Sequence, residues 1–70
     1  MEVKINTPYI KLDQLLKFAG IASSGSEAKF LISEELVLLN GQIENQRGKK
    51  IIIGDTVEVK GNEKILILGE

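Results

Sequence analysis

The sequence predicts an α+β fold, with two packed N-terminal helices on a small, mostly antiparallel sheet of four to five short strands. Three observations predict it. Apolar residues recur at helical spacing in two places before residue 35, and the period changes to strand-like runs from Leu36 onward. Asn40-Gly41 then supplies a strong hairpin signal between two of those runs. At 70 residues with 43% apolar side chains, the expectation is a single domain over residues 1–70 with one compact core.

Val3 and Ile5 alternate with polar neighbours and predict a short first strand, ended by Asn6-Thr7-Pro8. Leu12, Leu15, Leu16 and Ala19 follow an i, i+3, i+4, i+7 pattern, one apolar stripe on a two-turn helix. Asp13 and Lys17 stand four apart with the acid nearer the N-terminus, the better order for an ion pair. Gly20 falls where the residue after a helix takes a left-handed conformation. Ser24 and Glu27 have capping-box spacing and predict the start of a second helix, in which each side chain serves the other's backbone N–H. Ala28, Leu31 and Ile32 form its apolar side. Lys29 shares the opposite side with Gly25, Ser26 and Ser33. The short link Ile21-Ala22-Ser23 makes the two helices spatial neighbours.

From Leu36 the chain reads as strands. Val37-Leu38-Leu39-Asn40-Gly41-Gln42-Ile43 predicts a hairpin whose Asn-Gly provides the two positive φ angles of a type I′ turn. The β-branched run Ile51-Ile52-Ile53 predicts a further strand, stopped by Gly54-Asp55. Thr56-Val57-Glu58-Val59-Lys60 alternates with Val57 and Val59 inward, and Gly61-Asn62-Glu63 turns the chain into a last strand over residues 64–68.

The chain has no Cys and no His, so disulfides, thiolate nucleophiles, zinc clusters and imidazole chemistry are excluded. No catalytic residue, cofactor or metal site is expected. The longest apolar runs, residues 36–39 and 65–68, are too short to cross a bilayer, and no signal-peptide pattern opens the chain. The expectation is a cytoplasmic protein, monomeric by default, with no membrane partner. Net charge is −1, which argues against coating nucleic acid by bulk electrostatics. Its distribution differs from its total. Asn45-Gln46-Arg47-Gly48-Lys49-Lys50 holds three bases and no acid, and Arg47 is the only arginine.

Two segments are candidates for binding an anion. The basic hexapeptide lies in a connection between strands, where side chains reach a ligand freely. Arg donates two parallel hydrogen bonds to a phosphate and Lys acts as a point charge. The alternative is a solvated loop that serves solubility. The second segment, Ser23-Ser24-Gly25-Ser26, offers hydroxyls and free N–H groups at a helix start. Its alternative is a well-capped helix, and Glu27 favours that alternative by repelling phosphate. Scattered carboxylates form no acid/base pair; adjacent Glu34 and Glu35 face different directions. The three aromatics, Tyr9, Phe18 and Phe30, lie outside the predicted strands, so recognition through the phosphate backbone is expected over base stacking on a sheet.

Several fragments, taken in order, resemble the S-four RNA-binding domain named after a small-subunit ribosomal protein. Lys11-Leu12-Asp13 resembles that family's basic-Leu-Asp helix opening. Ser24-Gly25-Ser26-Glu27-Ala28-Lys29 resembles its Ser-basic-x-x-Ala-basic second helix. Val37-Leu38-Leu39-Asn40-Gly41 resembles its Val-x-Val-Asn-Gly hairpin, and Gly54-Asp55 its Gly-Asp turn. The match covers residues 11–59. More closely, the chain is similar to short stand-alone members of the YaaA/YbcJ type, which carry Ser-Gly-x-x-Ala-Lys and a segment like Glu44-Asn45-Gln46-Arg47-Gly48-Lys49-Lys50.

The resemblance implies an alpha-L motif and a non-catalytic RNA-binding surface made by the two helices and adjoining loops. Structured RNA, ribosomal RNA or a ribosomal subunit would be the partner. The implied contacts are Lys11, Lys29, Arg47, Lys49 and Lys50, with hydroxyl help from Ser24 and Ser26 and with Asn40 shaping the hairpin. Gly25 and Gln46 stand where relatives carry cations, so the surface is thinned. The alternative is a ribosome-associated adaptor that keeps the fold, binds RNA weakly, and makes protein contacts through Phe18 and the rim near Ile10.

Overall fold

The computed structural model describes residues 1–70. In chain order the elements are β1 (Glu2–Ile5), β2 (Ile10–Lys11), α1 (Leu12–Phe18), α2 (Gly25–Ser33), β3 (Val37–Leu39), β4 (Gln42–Ile43), β5 (Lys50–Ile51), β6 (Thr56–Val59) and β7 (Lys64–Gly69). Five strands form one sheet in the order β1-β7-β6-β3-β4, and β2 and β5 form a separate two-stranded ladder. All pairings are antiparallel except β1 with β7, where Val3 lies opposite Ile67 in a parallel register.

The fourteen buried residues are all apolar. One sheet face supplies Val3, Ile5, Val37, Val57, Val59, Ile65 and Ile67; α1 supplies Leu12, Leu15 and Leu16; α2 supplies Ala28 and Ile32. Each fully buried Leu or Ile contributes about 1.5–3 kcal/mol relative to exposure. The predicted stripe on α1 is therefore the face that meets the sheet. Both helices end in the same way, with 6→1 and 5→2 backbone bonds. At α1 the N–H groups of Ile21 and Gly20 donate to Leu16 and Lys17. At α2 those of Leu36 and Glu35 donate to Leu31 and Ile32. The left-handed position is Gly20 (φ +78°) in the first and Glu35 (φ 60°) in the second.

The Asn-Gly turn forms as expected, with Leu39 opposite Gln42 and positive φ at Asn40 (51°) and Gly41 (87°). Three expectations need correction. The Ile51-Ile52-Ile53 run is not a strand of the main sheet: only Ile51 is paired and buried, and Ile52 and Ile53 are exposed. The reason is Asp55, whose carboxylate takes the Ile52 N–H at 2.9 Å and folds the segment into a turn. The capping box is shifted by one residue. Ser24 Oγ accepts from the Glu27 N–H at 3.1 Å, but the Glu27 carboxylate takes the N–H of Ser23, at 3.0 Å, instead of that of Ser24. Asp13 and Lys17 do not pair, because Asp13 turns back to accept the Gln14 N–H at 2.8 Å. The main sheet has the five strands expected at most, and the β2–β5 ladder stands apart from it.

Candidate nucleic-acid interface

The basic segment is fastened to the start of α1 by its backbone. The first N–H groups of a helix have no partner within it and need one from outside. Lys11, the residue that precedes α1, offers no capping side chain. The loop carbonyls serve instead: the Leu12 N–H donates to Lys49 O at 2.9 Å and the Asp13 N–H to Arg47 O at 3.2 Å. One step further out, Lys11 lies directly opposite Lys50 on the β2–β5 ladder, and Ile10 opposite Ile51. Ile51 is fully buried, so the ladder is anchored in the core. Within the loop, Glu44 accepts the Gln46 N–H at 3.0 Å and the Lys49 N–H donates to Gln46 O at 3.2 Å, which closes the turn that carries Arg47.

Lys11, Arg47, Lys49 and Lys50 thus come together although about forty residues separate the first from the last three. All four are exposed. The one ion pair in the structure joins the Met1 amine to Glu63, so no carboxylate lies within pairing distance of the four. Lys50 Nζ sits 4.9 Å from the centroid of the Tyr9 ring, a cation–π contact that steers this ammonium group. Lys29 is exposed on α2, which packs against α1, and no hydrogen bond or ion pair ties it to the loop. Ser24 is occupied by capping, and Ser26 is exposed in the first turn of α2. The Asn40 side chain is used internally. Its Nδ2 donates to Asp55 Oδ1 at 3.1 Å and its Oδ1 accepts the Thr56 N–H at 2.9 Å, so Asn40 holds the hairpin against the turn before β6.

The S4 domain profile matches residues 3–68 of the chain. The chain belongs to the S4 domain family. Among relatives of this family, the "Probable ribosome maturation protein RlbA" of Bacillus subtilis (strain 168) is 44% identical over 59 residues, which is 84% of this chain and 83% of that one. YbcJ of Escherichia coli (strain K12) is 38% identical over 55 residues, 79% of each chain. A solution structure of YbcJ, described as revealing an "alfaL motif involved in RNA-binding", superposes with a TM-score of 0.74 at 31% identity, covering 96% of this chain and 85% of that one. The two helices on a mixed sheet are thus the S4 arrangement seen in YbcJ.

Two features escaped the sequence. Tyr9 lies outside every strand and gives no local sign that it meets Lys50. A concavity of about 380 Å³ lies between the β3–β4 hairpin and the basic loop, with Gln42, Glu44 and Lys49 in its lining. Both depend on packing between segments that are remote in sequence.

Proposed function

We propose that this S4 domain acts as a non-catalytic RNA-binding module that docks on structured RNA, with ribosomal RNA or a ribosomal subunit as its target. Lys11, Arg47, Lys49 and Lys50 neutralise backbone phosphates, and Lys29 extends the surface along α2. The observation that carries this reading is the meeting of four unpaired cations at the start of α1. Lys11 and Lys50 face each other directly, a like-charge pair that costs about 0.2–1 kcal/mol in the free protein and turns favourable when a phosphate bridges it. RNA is preferred over other polyanions because YbcJ's motif is described as involved in RNA binding. A ribosomal target is preferred because RlbA is named for ribosome maturation.

Fluorescence anisotropy with a labelled ribosomal RNA stem-loop, titrated at several salt concentrations, tests the proposal. With about four phosphates neutralised, log K should fall against log salt with a slope of about −3, or roughly a hundredfold loss between 50 and 200 mM. In Arg47→Ala with Lys49→Ala the slope should drop to about −1.5. A slope unchanged by the double variant would overturn the assignment of these residues.

A second reading, a protein-binding adaptor, rests on Phe18, which is 68% exposed and lines a depression of about 260 Å³ with Ile10 on its rim. Protein association in pull-down from cell lysate that survives ribonuclease and high salt, and is lost in Phe18→Ser, would favour this reading over the first.

A further inference from the structure

The concavity beside the basic loop has a chemistry of its own. At about 380 Å³ it lies at the lower end of the range for small-ligand sites, about 300–1,000 Å³, which is room for one nucleoside. Leu39 and Ile43 give it apolar wall, and Ile43 is 49% exposed although it sits in a strand. Glu44 and Lys49 both line it, yet the two do not form an ion pair with each other. Opposite charges that share one cavity without neutralising each other make a donor at one place and an acceptor at another. Glu44 is only partly occupied: Oε2 accepts the Gln46 N–H, and Oε1 has no partner. Asn40, also in the lining, is committed to Asp55 and Thr56 and keeps the wall in place.

We propose that this concavity holds one unpaired guanine of the bound RNA. An ionised carboxylate only accepts, so it suits a base edge with adjacent donors. Guanine has that edge in N1–H and N2–H₂, and its O6 and N7 accept from a lysine ammonium. No other base offers two adjacent donors to Glu44 together with two acceptors to Lys49. Adenine and cytosine would each set a ring nitrogen lone pair against the carboxylate. RNA presents such edges in bulges and loops, where bases are unstacked, and not in its deep, narrow major groove. The inference rests on the RNA-binding reading. It gives Lys49 a sequence-reading contact beside the phosphate contact proposed there, since an ammonium carries three donors.

The test uses five labelled RNA stem-loops that differ only at one position: a bulged G, A, C or U, or no bulge. Anisotropy at one fixed salt concentration gives each affinity. The wild-type chain is expected to bind the G bulge about tenfold more tightly than any other bulge, the discrimination expected of one bidentate pair. Glu44→Gln keeps an oxygen for the Gln46 N–H and so keeps the loop closed. It should bring all four bulges within about twofold of one another, and whatever affinity the lost carboxylate charge adds should appear equally in the unbulged stem. Asn45→Ala, at an exposed residue next to Glu44 that does not line the concavity, should keep the G preference and so controls for a general disturbance of the loop. Equal binding of all bulges by the wild type, or a G preference that survives in Glu44→Gln, overturns this inference alone. Failure to bind any of the five RNAs, the plain stem included, overturns the RNA-binding reading and this inference with it.

Discussion

Replacing Asn40 tests how the hairpin is held, because one side chain and one backbone angle do separable work there. The side chain makes two bonds, to Asp55 at 3.1 Å and from the Thr56 N–H at 2.9 Å. The residue is exposed, so each is worth about 0.5–1 kcal/mol. Its φ of 51° is left-handed, which costs an alanine roughly 1–2 kcal/mol and a glycine almost nothing. Asn40→Gly should therefore lose about 1–2 kcal/mol, the bonds alone, and Asn40→Ala about 2–4 kcal/mol. Stability for 70 residues is of order 3.5–10 kcal/mol, so the alanine variant loses a large share of the total. In heating experiments that corresponds to a fall in Tm of roughly 10–30 °C. Urea unfolding followed by circular dichroism gives both values. If the m values are unchanged, the differences in midpoint read directly as stability. Alanine and glycine variants of equal stability would refute the backbone part of the reasoning. Two variants within about 0.3 kcal/mol of the wild type would refute the bridge as well.

Two other changes probe the remaining structure by the same measurement. Ile51→Ala should cost about 2–5 kcal/mol because Ile51 is fully buried, whereas Ile53→Ala, at an exposed position, should stay within about 0.5 kcal/mol. Comparable losses at the two positions would mean that the whole isoleucine run packs. Glu35→Gly should raise stability by about 0.5–1 kcal/mol, since Glu35 occupies at φ 60° the position that Gly20 fills after α1. A loss in that variant would mean that the Glu35 side chain does work its exposure does not reveal.

The parts of the fold that were legible in the sequence are those written in local periodicity or in a backbone demand. The stripe Leu12, Leu15, Leu16 needs only helical spacing, and Asn40-Gly41 needs only two positive φ angles. The end of α1 was legible because glycine marks a left-handed residue. The matching end of α2 was not, because a glutamate fills that position. Isoleucine content misled at residues 51–53. Strand propensity is a weak preference, and two bonds to the Asp55 carboxylate, from Ile52 and Asn40, outweigh it by closing a turn. For the site, the basic loop was visible as composition. Its docking on α1 was not, because a carbonyl that caps a helix from more than thirty residues away leaves no mark on residue type. Lys29 stood beside the other cations in the resemblance, and the structure leaves it on a different element from the loop.

A net charge of −1 does not oppose a polyanion here, because the charges are sorted by place. Screening at physiological salt shortens electrostatic reach to about 8 Å. Glu2 and Glu58 point from the sheet face turned away from the core, and Glu63 is engaged by the Met1 amine. The molecule is 18 Å across in its thinnest direction, about two screening lengths, so a phosphate at the loop responds to its neighbourhood and not to the total. That neighbourhood holds four cations, and the carboxylates of Asp13, Glu44 and Asp55 beside them each already accept a backbone N–H. The cations are also held in place before any ligand arrives, by the β2–β5 ladder and by two bonds from the start of α1. Gathering them is then a cost of folding and not of binding, which favours affinity. It follows that unfastening the ladder should weaken RNA binding without removing a charge. Ile51→Ala leaves every Lys and Arg in the sequence, so its affinity per folded molecule should fall while the salt slope stays near the wild-type value. If affinity were set by composition alone, the folded fraction of that variant would bind as well as the wild type.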